Sequence, residues 1–232
     1  GAGSMAALVL PRDEALEVIQ KADCGQIELA AVNSPKSVTL SGRKEDLSEF
    51  GKFARQFHLA FRKIDLNYPF HSSMVETVEH PFREALGEIK GRDSATAFIS
   101  TVSGEEMRGS ELDTRYWWRN LREPVQFDAA ISNAIAQGVR SFVEIGPKPT
   151  LQSYIRQCAL GQDTDVAILR SLLTKQKMDA DPIVEIVADA IAHGVPLDEA
   201  AVIGLNPAVA LKLPSYPWQN QAFRFQKTSE SN

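Results

Sequence analysis

A β-hairpin signature lies at residues 27–41, IELAAVNSPKSVTLS. Apolar residues recur at alternate positions through residues 27–32, as in a strand with a buried face. The turn-forming residues 33–36 (NSPK) follow, and residues 37–41 (SVTLS) are again rich in β-favouring side chains. The stretch therefore predicts two antiparallel strands joined by a short turn.

Strand and helix patterns flank this hairpin on both sides. Residues 5–10 (MAALVL) form an apolar strand, and the helix after it begins near Pro11, where a first helical turn tolerates proline. A second helix carries apolar side chains at three- and four-residue spacing over residues 47–57, and residues 59–66 return as a strand. The order β-α-β-β-α-β predicts a ferredoxin-like sandwich, with two helices on one face of a four-stranded antiparallel sheet.

From about residue 72 the pattern changes to longer helices and isolated apolar strands. The runs at residues 97–102 (AFISTV) and 141–145 (SFVEI) are typical of strands buried on both faces. Helical spacing follows at residues 151–158 and again at 182–193, with a further strand between them at residues 166–173. The second half of the chain is therefore predicted to be α/β.

Composition excludes several classes of protein. The 232 residues are 44% hydrophobic and 24% charged, which is ordinary for a globular protein. The net charge of −5, with no cluster of Lys and Arg, argues against a nucleic-acid or anionic-membrane partner. No apolar run approaches the ~20 residues of a membrane span. Cys24 and Cys158 belong to no C-x-x-C pattern, so we expect a reducing, cytoplasmic location.

Six segments stand out in order along the chain: GSMAA (3–7), AAVNSPKSVTLSG (30–42), YPFHS (68–72), WWRNLREPVQF (117–127), FVEIGPKPTL (142–151) and LPSYPWQNQAFRF (213–225). The first five resemble the acyltransferase domain of type I polyketide and fatty acid synthases, relatives of malonyl-CoA:acyl-carrier-protein transacylase. The sixth is similar to the linker that follows this domain in modular synthases.

The resemblance implies a division of the chain into three parts. Residues 1–70 would be a ferredoxin-like small subdomain, and residues 71–165 the C-terminal part of a large subdomain resembling an α/β-hydrolase. Residues 166–232 would be the linker that follows the acyltransferase. The active site of the family lies in the cleft between its two subdomains.

The implied reaction uses a serine in a G-H-S-x-G elbow, which attacks the thioester of acyl-CoA and passes the acyl group to the phosphopantetheine of an acyl carrier protein. This chain contains no G-x-S-x-G. By the family order, the serine and a carboxylate-binding arginine precede Gly1, so the chain resembles the C-terminal portion of the domain. The implied partners are the carrier protein, the upstream acyltransferase half and a ketosynthase, with no bound cofactor.

His71 is the candidate general base, because it matches the histidine of the family motif. The other three histidines, His58, His80 and His193, lie on or beside predicted helices without a motif. The four lack the spacing of metal ligands, so no metal is predicted.

Tyr68 and Phe70 occupy the positions at which the family reads the acyl side chain. The motif here is Y-P-F-H, whereas malonyl enzymes usually carry H-A-F-H and methylmalonyl enzymes Y-A-S-H. Because Phe70 would fill the space that an α-methyl group needs, the sequence favours malonyl, with methylmalonyl as the alternative. Asn33 is a further candidate for substrate contact, although a turn-forming role is the competing interpretation.

A loop at residues 144–149, with Gly146 and Pro147, lies beside the histidine in the family. It is predicted to orient the base, and the competing interpretation is a plain strand-to-helix turn. Arg119 and Glu123 have helical spacing, which predicts an ion pair rather than a cation offered to nucleic acid.

Two other functions compete with an acyltransferase part. The segment could be a structural module whose linker docks on a ketosynthase, and activity that is indifferent to loss of His71 would favour this. A thioesterase-like hydrolase, with water as the acyl acceptor, is the third hypothesis.

Overall fold

The computed structural model describes residues 3–146, 149–169, 182–196 and 198. Its first six elements follow the predicted order, which confirms a mixed α/β chain. These elements are β1 (Gly3–Leu8), α1 (Arg12–Ala22), β2 (Ile27–Ser34), β3 (Ser37–Arg43), α2 (Lys44–Gln56) and β4 (Phe61–Ile64).

Short strands and helices alternate through the rest of the described chain. Two 3-10 helices, Ser73–Val78 and Gly109–Glu111, lie among them. The other elements are α3 (Glu79–Leu86), β5 (Phe98–Ile99), β6 (Glu106–Met107), α4 (Thr114–Arg122), β7 (Val125–Gln126), α5 (Phe127–Ala136), β8 (Ser141–Val143), α6 (Gln152–Gly161), β9 (Ala167–Leu169) and α7 (Pro182–Ala192).

The main sheet has the strand order β4-β1-β3-β2-β7. Its first four strands pair antiparallel, as predicted, whereas β7 pairs parallel to β2. The sheet therefore has five strands and not the four predicted, because β7 adds to it. Without β7, β2 would be an edge strand with unpaired backbone N–H and C=O groups. The two-residue strand β7, just after Pro124, pairs with part of this edge at Ala31↔Val125 and Val32↔Gln126.

The predicted hairpin is confirmed, with longer strands than the sequence pattern suggested. Ser34 pairs with Ser37, so the turn consists of Pro35 and Lys36 alone. Irregularities in the β2–β3 register lie on both sides of Ala31 and Val32. The strands extend past the apolar run because backbone pairing, and not side-chain polarity, decides where a ladder ends.

The core lies between this sheet and the two helices α1 and α2, which pack on one face. Phe50 of α2 is fully buried and its ring centroid lies 5.5 Å from that of Phe61 in β4. Gly51 allows this approach, since a Cβ there would lie 2.9 Å from the Phe61 ring. The remaining fully buried apolar members of this cluster are Ala6, Leu8, Ala15, Val38, Leu40, Leu47 and Ala54.

Strand β4 is shorter than the predicted strand at residues 59–66. At its start, the Leu59 N–H donates to the Ala54 carbonyl (2.8 Å), which ties the chain to the end of α2. At its end, the Leu66 N–H donates to the Ile64 carbonyl (2.8 Å) and closes a turn. Local hydrogen bonds therefore remove residues at both ends from the ladder.

The predicted strands at 97–102 and 141–145 were wrong in length and in burial. β5 contains two residues and β8 three, and both have exposed members: Phe98 is 38% and Val143 45% exposed. Within the described residues, β5 pairs with β6, and β8 pairs in parallel with β9. An apolar run is typical of a strand that is packed on both faces. Within the described residues, β5 and β8 each keep an exposed side chain, so neither is fully packed.

Several expectations lie partly or wholly outside the described residues. The strand predicted at 166–173 is seen as β9, and its residues from 170 onward are outside. The helix predicted at 182–193 is confirmed as α7. Contacts between residues divide the chain into Gly1–Val195 and Pro196–Asn232, and nearly all of the second unit is outside the description. The boundaries 1–70, 71–165 and 166–232 stay a prediction.

The buried aromatic core gives a test of the fold. We expect Phe50→Ala to lower the free energy of unfolding by about 3–5 kcal/mol, because it removes a fully buried ring and leaves a cavity beneath Phe61. Phe57→Ala, at the end of the same helix, removes a ring from a residue that is 55% exposed, and should cost about 1 kcal/mol or less. Urea unfolding of both variants measures the difference, and equal losses would contradict this placement of the core.

Candidate active site

His71 lies in the connection between β4 and the first 3-10 helix, with its backbone in the left-handed region at φ +58°. Its N–H donates to the Leu121 carbonyl (3.1 Å), in the last turn of α4. A non-glycine residue held there costs of order 1–3 kcal/mol, which the surrounding structure must offset. The backbone of His71 is thus fixed against α4 independently of its side chain.

The imidazole of His71 is oriented by a main-chain carbonyl. Its Nδ1 lies 2.8 Å from the carbonyl oxygen of Glu123. A carbonyl oxygen can only accept, so Nδ1 carries the proton and Nε2 of the neutral ring keeps its lone pair. This is the tautomer that a general base needs when Nε2 is the atom that takes the proton.

The sequence around Pro124 explains why this carbonyl is available. A residue before proline is disfavoured in the helical region, and Glu123 is extended, at φ −80° and ψ 154°. Helix α4 therefore ends at Arg122, and the Glu123 carbonyl is free of the helical ladder. The Glu-Pro pair is the signal that could have identified this acceptor from the sequence.

The environment of His71 keeps its ring neutral near neutral pH. Burial lowers the pKa of His71, and the hydrogen bond with the Glu123 carbonyl opposes this shift without cancelling it. A neutral imidazole with an unprotonated Nε2 is ready to accept a proton.

Tyr68 and Phe70 lie beside His71 in the same loop, and their role in substrate binding stays a prediction. The Tyr68 and Phe70 rings stack with centroids 5.5 Å apart, and the Phe70 and His71 centroids are 6.5 Å apart. Tyr68 is 60% exposed, so this aromatic pair forms an accessible wall beside the histidine.

The start of β1 supports the loop that carries this motif. The Ser4 hydroxyl donates to the Leu66 carbonyl (3.0 Å), and the Ser72 hydroxyl to the Pro69 carbonyl (2.7 Å). A Cβ at Gly3 would lie 2.4 Å from the Pro69 ring. Gly3 therefore allows β1 to approach the loop at Pro69 closely, and any larger residue at position 3 would force the two apart.

Asn33 is placed differently from the prediction. It lies within β2 and not in the turn, and it is only 9% exposed. Its Nδ2 donates to the Thr39 hydroxyl (2.9 Å), and its carbonyl accepts from the Cys158 thiol (3.8 Å). These contacts hold the hairpin and α6 together, and they do not support the predicted substrate contact.

The predicted orienting loop also requires correction. The ring atom that such a group must hold, Nδ1, is bonded to Glu123 at the end of α4. The Glu144 carboxylate instead accepts from the N–H groups of Thr150 and Leu151, which stabilises the start of α6. Gly146 lines an apolar groove beside Phe127 and Phe142, and Pro147 is outside the described residues.

Neither cysteine is suited to replace a serine nucleophile. Both are unpaired and buried. Burial raises the pKa of the Cys158 thiol, and Asp128 raises it further; burial and then Glu49 raise that of Cys24. Both thiols are therefore protonated at neutral pH, and a protonated thiol is a poor nucleophile.

Two of the three arginines of α4, Arg119 and Arg122, are paired with carboxylates of the protein. Arg119 donates from Nε (2.8 Å) and Nη2 (3.0 Å) to the two carboxylate oxygens of Glu123, which confirms the predicted pair. Arg122 contacts Glu76 and Glu28. Cations paired in this way do not form a surface for phosphates.

Metal and membrane sites are absent from the described part of the chain. There, no three His, Cys, Asp or Glu side chains are grouped so that they could hold a metal ion. None of the described helices has the length and apolar character needed to cross a membrane.

Similarity to known proteins agrees with the fold and the motif. A family model described as the acyl transferase domain matches residues 1–192. The chain is 32% identical over 227 residues to erythronolide synthase EryA2 of Saccharopolyspora erythraea, covering 97% of this chain and 6% of that protein. It is 31% identical over 226 residues to mycoketide-CoA synthase of Mycobacterium tuberculosis, covering 96% and 5%.

Solved structures show the same architecture. The acyltransferase domain from module 8 of the salinomycin polyketide synthase aligns with a TM-score of 0.79 and 30% identity, covering 85% of this chain and 46% of that one. A malonyl CoA-acyl carrier protein transacylase from Clostridium perfringens shares the fold, with a TM-score of 0.70 at 23% identity, covering 84% of this chain and 59% of that one. The chain thus spans about half of these structures.

Fold, motif and similarity define a mixed α/β protein with a histidine site at the end of its main sheet. The chain belongs to the acyltransferase domain family of modular polyketide synthases. The family resemblance seen in the sequence is confirmed.

The lowered pKa of His71 makes stability depend on pH. The unfolded chain binds a proton at His71 more readily than the folded one, so the stabilisation is full above the ordinary histidine pKa and is lost as pH falls through the folded value. We therefore expect the stability advantage of the wild type over His71→Gln to shrink between pH 8 and pH 5.

Urea unfolding across this pH range measures that difference. His80→Gln is the matched control, since the His80 side chain is 90% exposed, and we expect a far smaller change. If the stability difference between the wild type and His71→Gln were the same at every pH, the lowered pKa of His71 would be contradicted.

Proposed function

We propose that this chain supplies the general base of an acyltransferase that loads a malonyl-type unit from acyl-CoA onto the phosphopantetheine of an acyl carrier protein. The nucleophilic serine is provided from outside these residues. The observation that carries the proposal is the hydrogen bond between His71 Nδ1 and the Glu123 carbonyl, which leaves Nε2 unprotonated.

In the first half-reaction, Nε2 of His71 accepts the proton of the serine hydroxyl while the serine oxygen attacks the thioester carbonyl carbon. The bond between carbon and sulfur breaks, and the coenzyme A thiolate leaves with the proton that His71 returns. The Glu123 carbonyl stabilises the imidazolium that forms between these steps, because Nδ1–H remains its donor.

The second half-reaction is the reverse with a different thiol. The phosphopantetheine thiol gives its proton to Nε2 and attacks the acyl-serine ester. The serine oxygen then leaves and regains the proton from His71. Every proton passes through one nitrogen, so His71 must be neutral at the start of each half-reaction.

The subdomain assignment belongs to the same proposal. The β-α-β-β-α-β segment at residues 1–70 is the ferredoxin-like small subdomain, and the α/β elements after it are part of the large subdomain. His71 lies in the loop that follows β4 and is held by α4, and we take this as the junction of the two parts. An active site at this junction would be closed by the upstream half of the domain, in a cytoplasmic synthase that also carries a ketosynthase.

Loss of the base tests this function. In the full-length protein that contains this chain, we expect His71→Ala to slow acylation of the carrier protein by at least about a hundredfold, as for removal of a general base. The measurement is transfer of labelled acyl groups from malonyl-CoA to the carrier protein. His80→Ala should retain the wild-type rate, because its side chain is 90% exposed on α3.

Unchanged transfer by His71→Ala would refute the catalytic role and favour the docking module instead. Efficient acyl release to water, with little transfer to the carrier, would favour a thioesterase-like hydrolase. Both outcomes are read from the same assay.

The aromatic wall gives a test of the acyl group. We propose that Phe70 selects against an α-methyl substituent, since its ring stacks on Tyr68, lies 6.5 Å from the tilted His71 ring and would occupy that space. Phe70→Ser should shift the ratio of methylmalonyl to malonyl transfer upward by about tenfold or more, the range for one methyl group. Competition between the two CoA thioesters measures the ratio, with His80→Ala as the control, because the His80 side chain is 90% exposed. A ratio that Phe70→Ser leaves unchanged would show that selectivity lies elsewhere.

A further inference from the structure

The side chain of Arg122 connects three elements around His71. It is the last residue of α4 and lies between Leu121 and Glu123, whose carbonyls hold the His71 backbone and ring. Any shift of this helix end would move both of these hydrogen-bond acceptors together. What fixes the helix end against its neighbours therefore also fixes the imidazole.

Arg122 first contacts the 3-10 helix that follows His71. Its Nε and Nη2 each lie 2.8 Å from the same carboxylate oxygen, Oε1 of Glu76. Because two nitrogens of the planar guanidinium share one oxygen, this edge of the Arg122 side chain faces Glu76.

Arg122 also faces the main sheet. Its Nη1 lies 3.8 Å from Oε2 of Glu28, which projects from β2. The other oxygen of Glu28 accepts from the Ser73 N–H (2.9 Å) and from the Ser73 hydroxyl. Ser73 is two residues after His71, so this carboxylate holds the chain on the far side of the histidine.

These contacts differ from an isolated surface pair. The Arg122 side chain is 25% and that of Glu28 34% exposed, whereas Glu76 is 56% exposed. The network is therefore partly buried on its Arg122 and Glu28 side, and it joins residues that are distant in sequence. By contrast, the pair Arg83–Glu79 lies within one helix, with side chains 46% and 39% exposed. Surface pairs of that kind contribute little, whereas a partly buried network can set a geometry.

We propose that Arg122 and Glu28 are positioning residues for His71. Together they lock the end of α4 to β2 and to the 3-10 helix, and so keep the Glu123 carbonyl on Nδ1. This inference rests on the proposed function for its catalytic meaning, but the position and tautomer of the ring can be measured without any reaction.

The test uses the 232-residue chain with ¹⁵N-labelled histidine. In the wild type, NMR should show His71 as a single tautomer protonated at Nδ1, assigned by loss of its signals in His71→Gln. In Arg122→Met and in Glu28→Ala, the carbonyl no longer fixes the ring, and both tautomers should be populated. Arg83→Met, which removes the helical pair on α3, should leave the spectrum of His71 unchanged.

Conservative variants separate geometry from stability. Glu28→Gln keeps an oxygen for the Ser73 N–H but turns an amide nitrogen toward Nη1 of Arg122, so it should lose part of the Nδ1 tautomer, and less of it than Glu28→Ala. Arg122→Lys cannot reproduce the two-nitrogen contact with Glu76 and should populate both tautomers. If Arg122→Met fails to fold, Glu28→Ala and Arg122→Lys decide. Folded variants that keep the wild-type tautomer at His71 would overturn the proposal.

Transfer kinetics in the full-length protein complete the test. Arg122→Met should lower kcat by about tenfold or more while KM stays within about twofold, because ring placement and not substrate binding is disturbed. Full activity of His71→Ala would refute the proposed function, whatever the tautomer. Loss of activity in His71→Ala, with wild-type kcat and tautomer in Arg122→Met, would refute only the positioning role.

Discussion

The hydrogen bond from His71 Nδ1–H to the Glu123 carbonyl is the contact on which the site depends. It fixes the tautomer, it favours the charged form against the effect of burial, and it ties the ring to the helix that also holds the His71 N–H. A carbonyl oxygen carries no net charge, so it orients the base without raising the pKa as far as a carboxylate would. The ring can therefore remain neutral and still be held firmly.

The main sheet provides the rigid frame behind this contact. The loop from Leu66 to His71 rests on the first residues of β1, through the Ser4 hydroxyl and the close approach of Gly3 to Pro69. On its other side, Ser73 is held by Glu28 of β2. The histidine is thus placed between two central strands and the end of α4, which explains how a left-handed backbone conformation persists at φ +58°.

Sequence patterns predicted the elements whose formation depends on residues close together in the chain. The hairpin, α2 and α7 follow from spacing within a few residues, and the Y-P-F-H motif identified the neighbours of His71. What failed depended on distant partners. The polarity of Asn33 suggested a turn and a ligand, but Thr39 across the hairpin and Cys158 of α6 use its polar groups. The acceptor for His71 was missed because it is a main-chain oxygen 52 positions away. The Glu123-Pro124 pair marks the end of a helix, but it does not indicate which group that free carbonyl contacts.

A main-chain acceptor changes where substitutions matter. No replacement of the Glu123 side chain removes its carbonyl, and that side chain is occupied separately by Arg119. The geometry instead depends on Pro124, which ends the helix, and on the Arg122 guanidinium, which anchors that end. Substitutions at Pro124 and Arg122, which do not contact the imidazole, should therefore disturb the site more than substitutions at Glu123. The same reasoning applies to any base that is oriented by backbone: the informative variants are those that move the backbone, and not those at the position of the acceptor.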